Sequence, residues 1–261
     1  MIRNLIIGGN GFIGSELNKF LIKNGEQSSV FGKSESEEDI KNCKIPTTNC
    51  DFIYFLAWDF GGSKYLNVKE NLSRQIENNL KIISNSLPQL IESKKRIVFV
   101  STFAADDIEI PYGVTKRAAE IWLSNFNCNI IRLGNIYGKV KKDNIKSDVI
   151  SDFICQAINN KEIVMKTNGQ EKRQFIHYED AVRIIKISSE QRSGEIYDTY
   201  SNFEWVPIIK VAEIIANLTG AKIIKGKEKG IDRNPVPRKS IKNFTPTMSL
   251  ESGLIKTIES F

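Results

Sequence analysis

Histidine occurs once in the 261 residues, at His177, and the four cysteines (Cys43, Cys50, Cys128, Cys155) show neither C-x-x-C nor zinc spacing. Such a chain offers no metal centre, and its thiols read as the reduced, mostly buried cysteines of a cytoplasmic protein. Long hydrophobic runs are also missing. The longest, Phe52 to Trp58, has seven residues, where a membrane span needs about 20. No basic-then-apolar leader stands at Met1, so export is not expected. Lysines are scattered rather than gathered on one stripe, and the 9% aromatics form no stacking pattern. The net charge of +6 therefore points to anionic small molecules, and nucleic acid is not an expected partner. No repeat or low-complexity linker breaks the chain. With 41% hydrophobic and 26% charged residues it is globular and long enough for one large domain or two small ones sharing a cleft.

What is present is an alternation of strand and helix. Asn4–Gly8 is an apolar run ending in glycine. Phe12 to Asn24 carries apolar residues at helical spacing, and Gly25 stands where a C-cap belongs. Strands are expected at Ser29–Phe31, Phe52–Trp58, Arg96–Val100 and Asn129–Leu133. A helix from about Val68 to Glu92 carries Leu72, Ile76, Leu80, Ile83, Leu87 and Leu90 along one side. Another, opened by Pro111, carries Ala118, Trp122 and Phe126. Apolar strands separated by helices predict an α/β fold, a doubly wound parallel sheet covered on both faces. The character changes after Gly138. Residues 1–138 are expected to form the sheet domain, with one return of the chain near 178–201. Residues 139–177 and 202–261 are expected to form a small α/β lobe.

Gly8-Gly9-Asn10-Gly11-Phe12-Ile13-Gly14 follows a strand and opens a helix. Gly8 allows a tight turn, Gly11 lets backbone approach a diphosphate, and Gly14 lets the helix pack closely on its strand. The helix N-terminus then offers free N–H groups and a positive dipole end. The alternative is three turn glycines that bind nothing. An NAD site needs an acidic residue at the tip of the second strand. That tip is Gly32, followed by Lys33 and Ser34, which favours the 2′-phosphate of NADP over NAD. A solvated lysine in a turn is the competing explanation.

Tyr112 and Lys116 lie one helical turn apart. A free tyrosine has a pKa near 10, and a neighbouring ammonium favours the phenolate, which suits the phenol to proton transfer. Lys116 can also hold the nicotinamide ribose. Thr102, or failing that Ser101, sits at a strand end where it could hydrogen-bond the reacting oxygen. Asn79 is either an anchor for a proton-relay water or a plain polar helix residue. His177 reads as a packed or capping residue, and Asp180 as the cap of a helix beginning near Ala181.

These residues resemble the extended short-chain dehydrogenase/reductase family, in its nucleotide-sugar branch, over nearly the whole chain. Asp51-Phe-Ile-Tyr-Phe-Leu-Ala57 is similar to the family's D-x-V-I-H-L-A strand, and Asn79 and Asn85 fit its long helix. Val100-Ser-Thr102, Tyr112-x-x-x-Lys116 and Arg132-Leu-Gly-Asn-Ile-Tyr-Gly138 follow in family order. Gly169 to Asp180 resembles the segment beside the sugar nucleotide, and Phe244 to Leu254 the closing helix. The resemblance implies a Rossmann domain with Leu56 and Ala57 at the cofactor. It also implies a nucleotide sugar in the cleft, held by Asn135 and by Arg173, whose guanidinium suits phosphates. A homodimer through the helices from Val68 and Tyr112 is implied as well.

Phe103-Ala104 replaces the acid–base pair that dehydratases of this family carry beside the threonine, and no cysteine lies near Thr102. Carbonyl reduction or 4-epimerisation remains. Epimerases of this branch retain NAD, whereas a reductase exchanges NADPH, so Gly32-Lys33 favours an NADP(H)-dependent reductase of a 4-keto-6-deoxy nucleotide sugar. A 4-epimerase, or a non-catalytic NADP sensor on the same fold, is the alternative. The segment between Thr102 and Tyr112 is shorter than is usual in the family.

Overall fold

A computed structural model describes residues 2–32, 39–61, 65, 68–140 and 147–261. The chain builds β1 (Arg3–Ile7), α1 (Phe12–Lys23), β2 (Gln27–Phe31), β3 (Phe52–Phe55), α2 (Lys69–Glu92) and β4 (Arg96–Thr102). A 3-10 turn (Phe103–Asp106) leads to α3 (Pro111–Leu123), β5 (Cys128–Leu133), β6 (Asn135–Tyr137), α4 (Val149–Asn160), β7 (Glu162–Val164) and β8 (Lys172–His177). Then come α5 (Tyr178–Glu190), β9 (Ile196–Asp198), β10 (Trp205–Pro207), α6 (Ile208–Thr219), β11 (Lys222–Ile224), β12 (Lys239–Ser240) and α7 (Leu250–Glu259).

Seven parallel strands form one sheet in the order β12-β9-β5-β4-β3-β1-β2. The winding reverses between β1 and β3, so the fold is a Rossmann-type doubly wound sheet. Its carboxyl edge at that reversal is where such sheets bind ligands. The central strands are apolar because both faces are covered. Leu5, Ile7, Ile53, Phe55, Ile97, Phe99 and Ile130 pack towards α2 and α3, while Ile6, Tyr54, Val98, Ile131 and Leu133 pack towards α1 and α5. A third core, built on Ile150, Ile154, Ile163, Val211 and Ile215, belongs to a small lobe. That lobe holds the β10-β8-β6 and β11-β7 sheets.

Three local expectations change. The chain comes back to the large sheet twice, because β12 pairs with β9 after β9 has paired with β5. In α2 the expected single stripe divides. Ile83, Leu87 and Leu90 are buried, but Ile76 and Leu80 face outward, and the inner positions there are Gln75 and Asn79. Asn79 there meets the backbone of the loop after β3 at Asp59, whereas the buried Gln75 amide makes no hydrogen bond with a described residue. Finally, α5 starts at Tyr178 with His177 as its cap, the ring Nδ1 accepting from the Glu179 N–H at 3.4 Å. Asp180 does not cap. It is buried and accepts from the N–H groups of Thr247 and Met248, tying the closing segment to α5.

No helix of the described residues is long and apolar enough to cross a membrane. Among the same residues no cluster of His, Cys, Asp or Glu could hold a metal ion. Leu87 is fully buried against β3 and β4. Leu87→Ala is therefore expected to destabilise the protein by about 2–5 kcal/mol, read as a lowered urea midpoint with an unchanged slope.

Candidate active site

The glycine loop is shaped by contacts that leave no room for a side chain. Gly8 has φ +87°, and a Cβ on it would lie 2.6 Å from the Ala57 nitrogen. One on Gly14 would lie 2.3 Å from the Gly8 carbonyl. Gly11 meets only the Gly8 oxygen, at 3.2 Å, so the rest of its surroundings is open. Gly11 is also the cap of α1, with no side-chain cap and no acidic residue in the first turn. The N–H groups of Phe12, Ile13 and Gly14 begin the helix with no intrahelical acceptor, a place for an anion. Leu56 and Ala57 both donate backbone N–H bonds to the Ile7 carbonyl, at 2.9 and 3.0 Å, and so hold their loop against Gly8. Asn10 donates to the Gly32 carbonyl at 3.4 Å. A dinucleotide diphosphate fits this cradle. Lys33 and Ser34, on which the NADP expectation rests, lie outside the described residues.

Thr102 ends β4 at the same edge, and its Oγ1 accepts from the Ala104 N–H at 3.2 Å, capping the 3-10 turn. Tyr112 is the second residue of α3, after Pro111. A Cβ on Gly113 would lie 1.9 Å from the Ala104 carbonyl. Only glycine lets α3 press so closely on the turn, and that contact is what the short Thr102–Tyr112 connection requires.

Without cofactor the electrostatics depart from the expectation. Burial pushes the Tyr112 phenol up to about 12. Lys116 does not pull it down, because its ammonium donates instead to the Val100 carbonyl at 2.7 Å. That ammonium also lies 4.2 Å from the Trp58 ring centroid and 4.6 Å from that of Phe99. Burial lowers the Lys116 pKa to about 7, with Glu120 opposing the shift.

Two further expectations are corrected. The Ser101 hydroxyl is buried and donates to Glu120 Oε1 at 2.6 Å, so it does not face the cleft. Asn79 takes the structural of its two expected roles. Its Oδ1 accepts from the Asp59 N–H at 2.8 Å and its Nδ2 donates to the Asp59 carbonyl at 2.9 Å, which pins the loop after β3.

Across the edge from the glycine loop, the expected substrate residues Asn135 and Arg173 line a pocket with Thr102, Trp205 and Arg233. Among the described residues Arg173 donates to two carbonyls, those of Lys172 at 2.7 Å and Ile231 at 3.0 Å. Partial burial and the charge of Arg233 depress the Arg173 pKa against the pull of Glu171 and Asp232, and the protein around the guanidinium of the otherwise exposed Arg233 lowers its pKa against Asp107. Two guanidinium groups thus share one pocket beside Thr102, and neither makes an ion pair with a described residue.

A family model described as "NAD dependent epimerase/dehydratase family" matches residues 4–201. The chain belongs to that family. Among curated members, the UDP-N-acetyl-alpha-D-glucosaminuronate decarboxylase of Bacillus cytotoxicus is 29% identical over 319 aligned positions, covering 99% of this chain and 97% of the relative. The dTDP-4-dehydro-6-deoxyglucose reductase of Escherichia coli is 26% identical but covers 60% of this chain and 55% of its own. Among solved structures, a UDP-glucuronic acid 4-epimerase variant from Bacillus cereus, holding NAD and a UDP-sugar analogue, superposes with a TM-score of 0.81 at 20% identity over 99% of this chain and 98% of its own.

Arg233, Trp58 and Glu120 were missed in the sequence. Arg233 stands about 60 residues beyond Arg173, next to prolines, and no local pattern marks it. Glu120 had a signal: Arg132 interrupts an otherwise apolar strand and demands a buried carboxylate.

The Lys116 shift has a stability consequence. With a folded pKa near 7 and an unfolded one near 10.5, the unfolded chain binds the extra proton between those values, so stability rises with pH across that window. Urea midpoints of the wild type are expected to gain on those of Lys116→Met from pH 7 to 10, with a constant difference below pH 7.

Proposed function

We propose that this family member exchanges hydride at a ring carbon of a nucleotide sugar, with NAD as resident dinucleotide and Tyr112 as proton carrier. The observation that carries this reading is the Arg173/Arg233 pair, two guanidiniums beside Thr102 and Asn135 that make no ion pair with a described residue, with Glu171, Asp232 and Asp107 offsetting their charge only from a distance. Planar guanidiniums match a diphosphate in charge and geometry. The glycine loop at the same sheet edge holds a second diphosphate, so the cleft takes a dinucleotide and a sugar nucleotide head to head.

The bound dinucleotide supplies the hydride acceptor and donor. Tyr112 takes the proton of the sugar hydroxyl on oxidation and returns it on reduction, while Thr102 hydrogen-bonds the same oxygen. A phenol near pKa 12 serves as a proton donor. To serve as a base it must come down, which a positively charged ligand and a Lys116 released from the Val100 carbonyl both favour. Phe103 and Ala104 leave no acid–base pair beside Thr102, so elimination of a hydroxyl has no catalyst there. Oxidation at C4 needs none. A C4 ketone sits β to a C6 carboxylate, so one oxidation serves either 4-epimerisation or loss of carbon dioxide. The decarboxylase and epimerase among the relatives support this reading.

A second reading, NADPH-dependent reduction of a 4-keto-6-deoxy nucleotide sugar, is favoured by Gly32 where an NAD site has an acid, and by Lys33 and Ser34 beyond it. NMR of UDP-glucuronate, UDP-N-acetylglucosaminuronate and dTDP-4-keto-6-deoxyglucose, each incubated with and without NADPH, decides between them. Turnover of a UDP-uronate without added NADPH is expected. NADPH consumption with the keto sugar alone favours the reductase, and binding of dinucleotide without any turnover favours a sensor. In the active reaction Tyr112→Phe is expected to lower the rate about 10²-fold or more while dinucleotide affinity persists.

α2 and α3 pack on each other, and both carry exposed apolar residues, Ile76 and Leu80 on one and Val114, Ile121 and Trp122 on the other, with Leu80 51% and Trp122 50% exposed. We read this helix pair as the seam of a homodimer, since exposed apolar surface on packed helices is a common interaction face. Light scattering is expected to give twice the 29.6 kDa chain mass. Trp122→Glu is expected to give a monomer, and a wild-type monomer at micromolar concentration refutes the seam.

A further inference from the structure

The segment carrying Arg233 is anchored to the sheets through Asp198, which accepts from the Arg238 N–H, and Asp232, which holds the Lys172 N–H; among the described residues Asp106 gives it hydrogen bonds to the catalytic turn. Asp106, the last residue of the 3-10 turn that begins after Thr102, accepts through Oδ1 from Arg238 Nη2 at 3.1 Å. Its Oδ2 accepts from the Val236 N–H at 3.0 Å and lies 2.8 Å from Arg132 Nη1. Arg132 in turn holds both oxygens of Glu120, at 2.8 and 2.7 Å, one helical turn beyond Lys116 on α3. Arg233 is three residues before Val236, with Pro235 between them and Pro237 just beyond. Pro235 restricts φ between them, and Arg233 is held from its other side by Asp232, whose carboxylate accepts from the Lys172 N–H at 2.7 Å, so Arg233 stands between an anchor on β8 and one on Asp106.

We propose that Asp106 is a positioning residue that registers the diphosphate-binding Arg233 to the catalytic Thr102 and Tyr112. The proposal rests on the nucleotide-sugar reading above. Two features mark Asp106 as a coupling group. Its oxygens are divided between the strap (Val236 and Arg238) and the core (Arg132), so its position is a compromise between the two. Both cations and the strap N–H hold its carboxyl below the usual carboxylate range despite its partial burial, so it is charged at neutral pH. The short connection from Thr102 to Tyr112 makes such a tie possible. Asp106 follows Thr102 by only four residues, and the turn brings its carboxylate over the end of β5 and against the strap.

The test compares wild type, Asp106→Asn, Arg238→Gln and the double variant by calorimetric titration with UDP and, separately, with NAD. Asp106→Asn keeps the shape and one acceptor and removes the charge. UDP affinity is expected to fall about tenfold in each single variant, the scale of one lost charge-assisted hydrogen bond, with NAD affinity within twofold of wild type. The double variant is expected to lose no more than the worse single one, because both remove the same tie. Hydrogen exchange in residues 231–238 is expected to quicken in both single variants, with β1 and β4 unchanged. Equal losses for UDP and NAD indicate general loosening and overturn the proposal, as do additive losses, unchanged UDP affinity or unchanged strap exchange. A wild type that binds NAD but neither UDP nor dTDP refutes the nucleotide-sugar reading itself and removes this inference with it. Intact wild-type UDP binding with indifferent variants refutes only the coupling.

Discussion

The neutralisation of Arg132 is the constraint around which the catalytic half of the molecule is arranged. Its guanidinium sits fully buried on a central strand, where an unpaired charge is not tolerated. Glu120 meets it with both oxygens, which fixes α3 against β5, and Asp106 completes the shell from the turn after β4. A buried ion pair contributes little net stability compared with an apolar substitute. Here it selects one placement of α3. Tyr112, Lys116 and Glu120 follow one another at helical spacing, so the placement that satisfies Arg132 also sets where the phenol and the ammonium stand. Ser101 completes this buried network, which explains why its hydroxyl turns away from the cleft.

The glycine loop is constrained differently, by backbone in contact with backbone. Gly8 against Ala57, Gly14 against Gly8 and Gly113 against Ala104 are all positions where a side chain would force parts of the site away from each other. Together they draw the ends of β1, β3 and β4 into one edge. Charge at that edge is sparse among the described residues: Tyr112 is held protonated, Lys116 is pressed towards neutrality between Trp58 and Phe99, and Arg173 and Arg233 stand together beside Thr102.

Residues determined by local chemistry were legible in the sequence. Strand, glycine turn and helix in succession announced the tight loop that opens α1, because φ freedom and close helix packing are properties of single residues at fixed spacing. The Tyr112–Lys116 spacing and Thr102 at a strand end were visible for the same reason, and the apolar alternation was enough to determine the parallel doubly wound sheet. What only the tertiary structure decided involves partners far apart in the chain. The amide of Asn79 meets the Asp59 backbone, Ile76 and Leu80 turn outward, Lys116 bonds Val100 in place of the phenol, and Arg233 meets Arg173 across about 60 residues. Such pairings depend on which surfaces the fold brings together. Sequence spacing carries no information about them, because buried polar groups must find partners wherever the packed chain happens to put them.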